Sequence, residues 1–198
     1  MKTFSTTALL CTVLLIPAAC GGDDANAGST STSTPAATTV PDHSSPDHAS
    51  AIGTVTVDAV DYRFEDLPAT IPAGSRLRLT NSSSVELHEL VALRLPDTET
   101  RPVEELLALP KAELDSIVGG PPVAVLVAPP SAEGFPVVGD GTLAEPGRYL
   151  LLCAIPTGAD PDEYLAAAAA AGGAPTDVAG GPPHLVAGMY AEVEVSDG

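Results

Sequence analysis

Beyond residue 50 the chain falls into short apolar runs separated by turn signals. Thr54-Val55-Thr56-Val57 alternates with a period of two, Arg76 to Thr80 repeats the pattern, and Leu87 to Leu95 is a longer run of the kind that a buried strand shows. Val123 to Val127, Phe135 to Val138, Arg148 to Cys153 and Met189 to Val195 complete the set. In the last of them Glu192 and Glu194 alternate with Val193 and Val195. Strand-length runs at this spacing predict an all-β sandwich. Two segments break the period. Pro102 to Val118 predicts two short helical pieces, with Pro110 opening the second and Gly119-Gly120 as the stop. Asp160 to Ala171 begins on an Asp-Pro-Asp-Glu capping signature, runs through six consecutive Ala and stops at Gly172-Gly173. A helix of Ala has little side chain to bury, so it reads as a surface cover between strands.

The first fifty residues follow other rules. Residues 1–19 have the form of an export signal: Lys2 is the positive end, Ala8 to Ile16 an apolar stretch, and small residues precede Cys20. Pro17-Ala18-Ala19-Cys20 resembles the lipobox of bacterial lipoproteins, although Pro17 stands where Leu is commonest. The resemblance implies that Cys20 is the lipidated first residue of the mature chain, anchored to the membrane by its acyl chains. Residues 20–50 are rich in Ser, Thr, Ala, Asp, Gly and Pro without apolar period, which predicts a flexible tether. His43 and His48 lie in this stretch and read as solvated linker rather than as a metal-capturing segment. Residues 51–198 remain for a single domain. The expected location is the cell envelope, at the outer face of the cytoplasmic membrane or in the periplasm.

Charge narrows the partners. Against 26 Asp and Glu stand 8 Lys and Arg, a net charge of -18, and the basic residues after Lys2 are scattered singly from Arg63 to Arg148. A polyphosphate backbone needs a clustered basic surface, so no nucleic acid is expected. The chain contains no HExxH, phosphate loop or Ser-His-Asp order, which argues against an enzyme.

Cysteine counting gives the sharpest chemical signal. Cys11 leaves with the signal and Cys20 is taken by acylation, so Cys153 is a lone thiol in an oxidising compartment. Such a thiol is a small buried hydrophobe, an interchain partner or a metal ligand. The domain's only other candidates of this chemistry are His88, His184 and Met189. Singly, these are a strand-end histidine, another histidine and a core gap-filler. Together, one thiolate, two imidazoles and a thioether are the donor set of a blue-copper site, in which His₂Cys forms a plane and a distant Met is axial. Zn²⁺ on the Cys and His residues is chemically open, but Met is a poor partner for it.

At these residues the chain resembles the cupredoxin family of plastocyanin- and azurin-like blue copper proteins. The resemblance runs from about Thr54 to Val195. It is carried by Tyr62-Arg63-Phe64 leading to Ile71-Pro72-Ala73-Gly74, the Asn81 turn before His88, the Gly147-x-Tyr149-x-x-x-Cys153 strand and His184-x-x-x-Gly188-Met189. It implies a Greek-key cupredoxin-like β-sandwich with two short helical insertions, and one type 1 copper held by His88, Cys153, His184 and Met189. The implied function is a monomeric, membrane-tethered carrier of single electrons to or from a redox protein partner. Two alternatives are an envelope module that stores or delivers copper and a metal-free binding module on the same scaffold. Three departures stand out. Cys153 and His184 are 31 positions apart where the family has a few, so the poly-Ala helix falls inside the ligand loop and is expected to shield the copper. Glu89 follows the first ligand where Asn is common, so the hydrogen-bonded tie between the ligand loops is expected to be lost. Glu86 and Glu89 add negative charge that favours the oxidised ion.

Overall fold

The computed structural model describes residues 53–118 and 120–197. The signal, Cys20 and the tether with His43 and His48 lie outside them. Ten strands form two sheets: β1 (Thr54–Val60), β2 (Arg63–Glu65), β3 (Thr70–Pro72), β4 (Ser75–Asn81), β5 (His88–Arg94), β6 (Ala124–Ala128), β7 (Phe135–Val138), β8 (Thr142–Leu143), β9 (Gly147–Leu152) and β10 (Tyr190–Ser196). One sheet has the order β2-β1-β4-β8 and the other β3-β10-β9-β5-β6-β7. In the larger sheet β5, β6 and β7 follow one another, and the chain then crosses through β8 to bring β9 back beside β5, which is a Greek key. The seven longer strands coincide with the apolar runs of the sequence.

Alternation explains the smaller sheet. Val57 and Ala59 of β1 and Leu77 and Leu79 of β4 point into the core while their neighbours face solvent. The larger sheet differs, because its central strands are covered on both faces. Every residue of β6 is buried. Helices α1 (Val103–Leu107) and α2 (Lys111–Val118) close a second small core over Leu150 and Leu152 of β9, with Val103 and Leu106 buried in it. Helix α3 (Pro161–Ala171) lies against the outer side of β5 and β6 and buries Tyr164. Its start follows from the sequence: Asp160 Oδ1 accepts from Glu163 N at 2.9 Å, and Pro161 needs no partner in the first turn. It stops at Gly172, whose φ of 68° only glycine adopts at little cost.

Charge is neutralised locally. Among the described residues Arg63, Arg78, Arg94, Arg101, Lys111 and Arg148 each meet a carboxylate, and Arg76 Nε donates to the Asp140 carbonyl.

Candidate metal centre

Three elements converge at the end of the larger sheet where β5 begins and β9 stops. His88 is the first residue of β5 and pairs with Ala128 of β6. The turn before it is fixed by Asn81, whose Nδ2 donates to the carbonyls of Glu86 and Ala128, both at 2.9 Å, while Ser83 Oγ accepts from Glu86 N at 2.9 Å. Cys153 comes directly after β9. His184 opens a 3₁₀ turn, His184–Ala187, ahead of β10. The interval between Cys153 and His184 is closed at its base by main-chain bonds. His184 N donates to the Ile155 carbonyl (2.9 Å), Leu185 N to that of Cys153 (2.8 Å) and Gly181 N to that of Thr157 (2.8 Å). The strands of this base press so close that a Cβ at Gly180 would stand 2.6 Å from the Pro156 Cβ.

The side chains meet. One ligand atom each from His88, Cys153 and His184 lies within 4.8 Å of the others, and all three residues are fully buried. His184 Nδ1 is 3.1 Å from His88 Nδ1 and 3.3 Å from Cys153 Sγ. The opposite ring nitrogens face carboxylates: His88 Nε2 lies 3.0 Å from Asp61 Oδ1, and His184 Nε2 lies 3.3 Å from Glu86 Oε2 without hydrogen-bond alignment. A carboxylate beside Nε2 favours the proton there, which leaves both Nδ1 lone pairs free on the side where the three residues meet. Tyr62 packs over the pair, its ring centroid 4.8 Å from that of His184 and 6.4 Å from that of His88, and its hydroxyl donates to Glu86 Oε1 at 3.1 Å.

Burial sets the charge states. Desolvation lowers the pKa of His88 and of His184, the second also through its neighbour His88, so both rings are neutral and able to coordinate. The Cys153 thiol is pushed up to about 12, first by desolvation and then by the Glu89 carboxyl. Two lone pairs 3.1 Å apart beside a protonated thiol repel one another, and a cation among them relieves this. Bonds of about 2.0–2.3 Å place neighbouring donors roughly 3–3.5 Å apart, the spacing that His184 Nδ1 already has to His88 Nδ1 and to Cys153 Sγ. The donor set of two imidazoles and one thiolate fits one type 1 copper.

Met189 is buried, and its main chain bonds both sides of the site: its carbonyl accepts from Cys153 N and its N–H donates to the His184 carbonyl, each at 3.1 Å.

Two expectations are corrected. The tie between the ligand loops is not lost at Glu89, because Oε1 accepts from Ala154 N at 3.0 Å while Glu89 N lies 3.4 Å from Cys153 Sγ. A longer acid makes the tie at the position where the resemblance leads one to expect Asn. Its carboxyl is pushed up to about 7 by burial against the opposing pull of that Ala154 bond, so at neutral pH it carries only part of the negative charge expected of it. Helix α3, in turn, lies beside Glu89 and Val91, on the face of β5 opposite His88, and so does not cover the histidines. Tyr62 and Glu86 do that.

Asp61 and the clamping role of Glu86 escape sequence reading. Asp61 lies 27 positions from His88, and nothing in a lone Asp between strands marks its partner. The weak signal available was its place directly before the quoted Tyr62-Arg63-Phe64 run.

No protein-family model matches the chain, and no curated protein does. Among solved structures the chain is similar to the dithionite-reduced auracyanin of Roseiflexus castenholzii, with 18% identity over 72% of this chain and 96% of that one at a TM-score of 0.40. It is also similar to auracyanin A, a "blue" copper protein of Chloroflexus aurantiacus (18% identity, 50% and 85% coverage, TM-score 0.33), and to auracyanin B (19%, 73% and 88%, TM-score 0.34). By its own topology the chain is a Greek-key β-sandwich, with His88, Cys153 and His184 gathered at one end of its larger sheet.

Proposed function

We propose that the protein is a type 1 copper electron carrier, held at the envelope membrane by a lipid on Cys20. The observation that carries this reading is the convergence of two neutral imidazole Nδ1 atoms on a lone buried thiol. Copper bound there supplies a one-electron cycle between Cu(II) and Cu(I). His88, His184 and Cys153 would hold the ion, with Met189 as the fourth ligand that the sequence resemblance implies. Asp61 and Glu86 keep the Nε2 protons and hold the rings in place, and full burial of the ligands keeps water out. Val85 and Val186, 69% and 67% exposed in the turns that carry His88 and His184, offer apolar surface on which a redox partner docks briefly. The acidic remainder steers basic partners toward it.

The test is addition of Cu(II) to the purified protein. An intense visible thiolate-to-copper band that Cys153→Ala abolishes, with reversible one-electron voltammetry, is the expected result. A colourless protein rejects copper, and an irreversible wave rejects electron carriage in favour of copper storage. Release of Cys20→Ala from the membrane fraction tests the anchor separately.

A further inference from the structure

On the outer side of the larger sheet, β5, β6 and β7 form the floor, and helix α3 one wall, of a cavity of about 880 Å³. Its lining is apolar almost throughout, and it owes its shape to the 31-position interval. The Ala168 and Ala169 side of α3 stands off the sheet because alanines are too short to fill the space. Deep in the cavity Val125, Val127 and Leu152 are only 9%, 5% and 9% exposed. At the mouth, Phe135 and Val137 of the edge strand β7 are 44% and 54% exposed. Two polar side chains reach this space, Tyr164 and Glu89; Glu89, 5% exposed, has one oxygen on Ala154 N, and among the described residues no hydrogen bond reaches the other.

We infer that this cavity binds one small, neutral, largely apolar molecule whose single hydroxyl-bearing end sits at Glu89. Three observations select that occupant. The volume lies in the range that holds one drug-sized ligand. The floor residues Val125, Val127 and Leu152 are recessed, each less than a tenth exposed, so they are reached by a small molecule and not by the flat face of another protein or of a second copy. The lining holds no cation to receive an anionic head group, while the free oxygen of Glu89 accepts from a hydroxyl. Glu89 N also contacts Cys153 Sγ, so the polar end of the ligand would lie one residue from the thiol. The proposal stands without copper, since every group in it belongs to the apo fold.

The experiment uses the full chain, with and without copper, and the fluorescent probe N-phenyl-1-naphthylamine. Saturable binding of one probe per chain is expected. Val137→Trp, at an exposed position that tolerates the larger ring, and Ala168→Trp, on the opposite wall, should each weaken it at least ten-fold while the far-ultraviolet circular dichroism stays unchanged. 4-Octylphenol should displace the probe at least ten-fold better than octylbenzene. Absence of saturable binding overturns the proposal, as does binding that both Trp variants leave untouched. One probe per two chains assigns the face to self-association instead. Equal displacement by the two competitors overturns the ligand class. Probe binding is read without any copper signal, so failure of the copper reading and failure of this one are told apart.

Discussion

Asp61 and Glu86 decide which nitrogen each ligand histidine offers. They come from different loops, and each places a carboxylate within 3.0 and 3.3 Å of a buried Nε2. Glu86 does more, since both its oxygens accept from Gly158 N (3.1 and 3.0 Å) and so fasten the start of the long interval to the first ligand's loop. Removing such a supporting partner typically costs 10–100-fold in metal affinity. Asp61→Asn keeps an acceptor but not the charge, so Cu(II) binding, measured by chelator competition, should weaken by about ten-fold or more while Cu(I) is affected less. A ten-fold loss felt by Cu(II) alone raises the one-electron potential by about 59 mV. An unchanged potential would remove Asp61 from the site's electrostatics. The thiol supplies a second prediction. With Cys153 pushed up to about 12 and both histidines neutral, copper uptake at pH 7 releases one proton, and it comes from sulfur. Apparent affinity should therefore climb about ten-fold per pH unit from pH 7 to 9, after correction for the chelator. A flat profile would mean that the thiol does not bind as thiolate.

Strand β5 joins the two faces of the larger sheet, presenting His88 to the metal side and Glu89 to the cavity under α3. Glu89 is the buried acid of this element, raised from the ordinary carboxylate range to about 7. Between those values the folded chain keeps a proton that the unfolded chain has lost, so the associated stability is full below about pH 4.5 and falls as pH rises through 7. The loss is up to about 3 kcal/mol for a shift of this size. Burial of His88 and His184 acts in the opposite direction, favouring the fold as pH rises toward 6.5, and is common to wild type and Glu89→Gln. Urea unfolding of the metal-free proteins at pH 5 and pH 8 should thus show Gln gaining on the wild type at the higher pH, and a constant difference would reject the buried-acid account. Elements of this length were legible in the sequence because seven residues of alternation, or six Ala after an Asp-Pro cap, exceed what chance produces. Strands β2, β3 and β8 were not legible. At two or three residues they lack a period, and tertiary pairing alone creates them: Glu65 with Asp58, Ile71 with Val195, Leu143 with Ser75. The Glu89 tie was missed for a similar reason, since its partner is a main-chain N–H, which no side-chain pattern reveals.

At the scale of the whole molecule, the order His, Cys, His, Met was enough to suggest the site, whereas its long Cys153–His184 interval read as a threat to it. The structure resolves the conflict through the base of that interval. Pro156 pairs with Pro183, Thr157 N donates to the Pro182 carbonyl at 3.1 Å, and the Cys153 carbonyl accepts from Leu185 N, so the two ligands are linked by a short ladder and the rest hangs beyond it. Loop closure costs little when the ends are already paired. Replacing residues 160–179 by a short Gly-containing turn, while keeping Gly158 for Glu86 and Gly180 for its contact with Pro156, should therefore leave the copper band in place. Electron exchange with small reagents should also stay within about two-fold, because Tyr62 and Glu86 cover His184 and α3 lies on the far face of β5. The same change should lower thermal stability, since Tyr164 loses its buried seat and the outer sides of Val125 and Val127 become wet, and it should abolish binding of the naphthylamine probe. A ten-fold faster exchange would restore α3 to the role of shield, and loss of copper would show that the appended helix, and not the ladder, holds the ligands together.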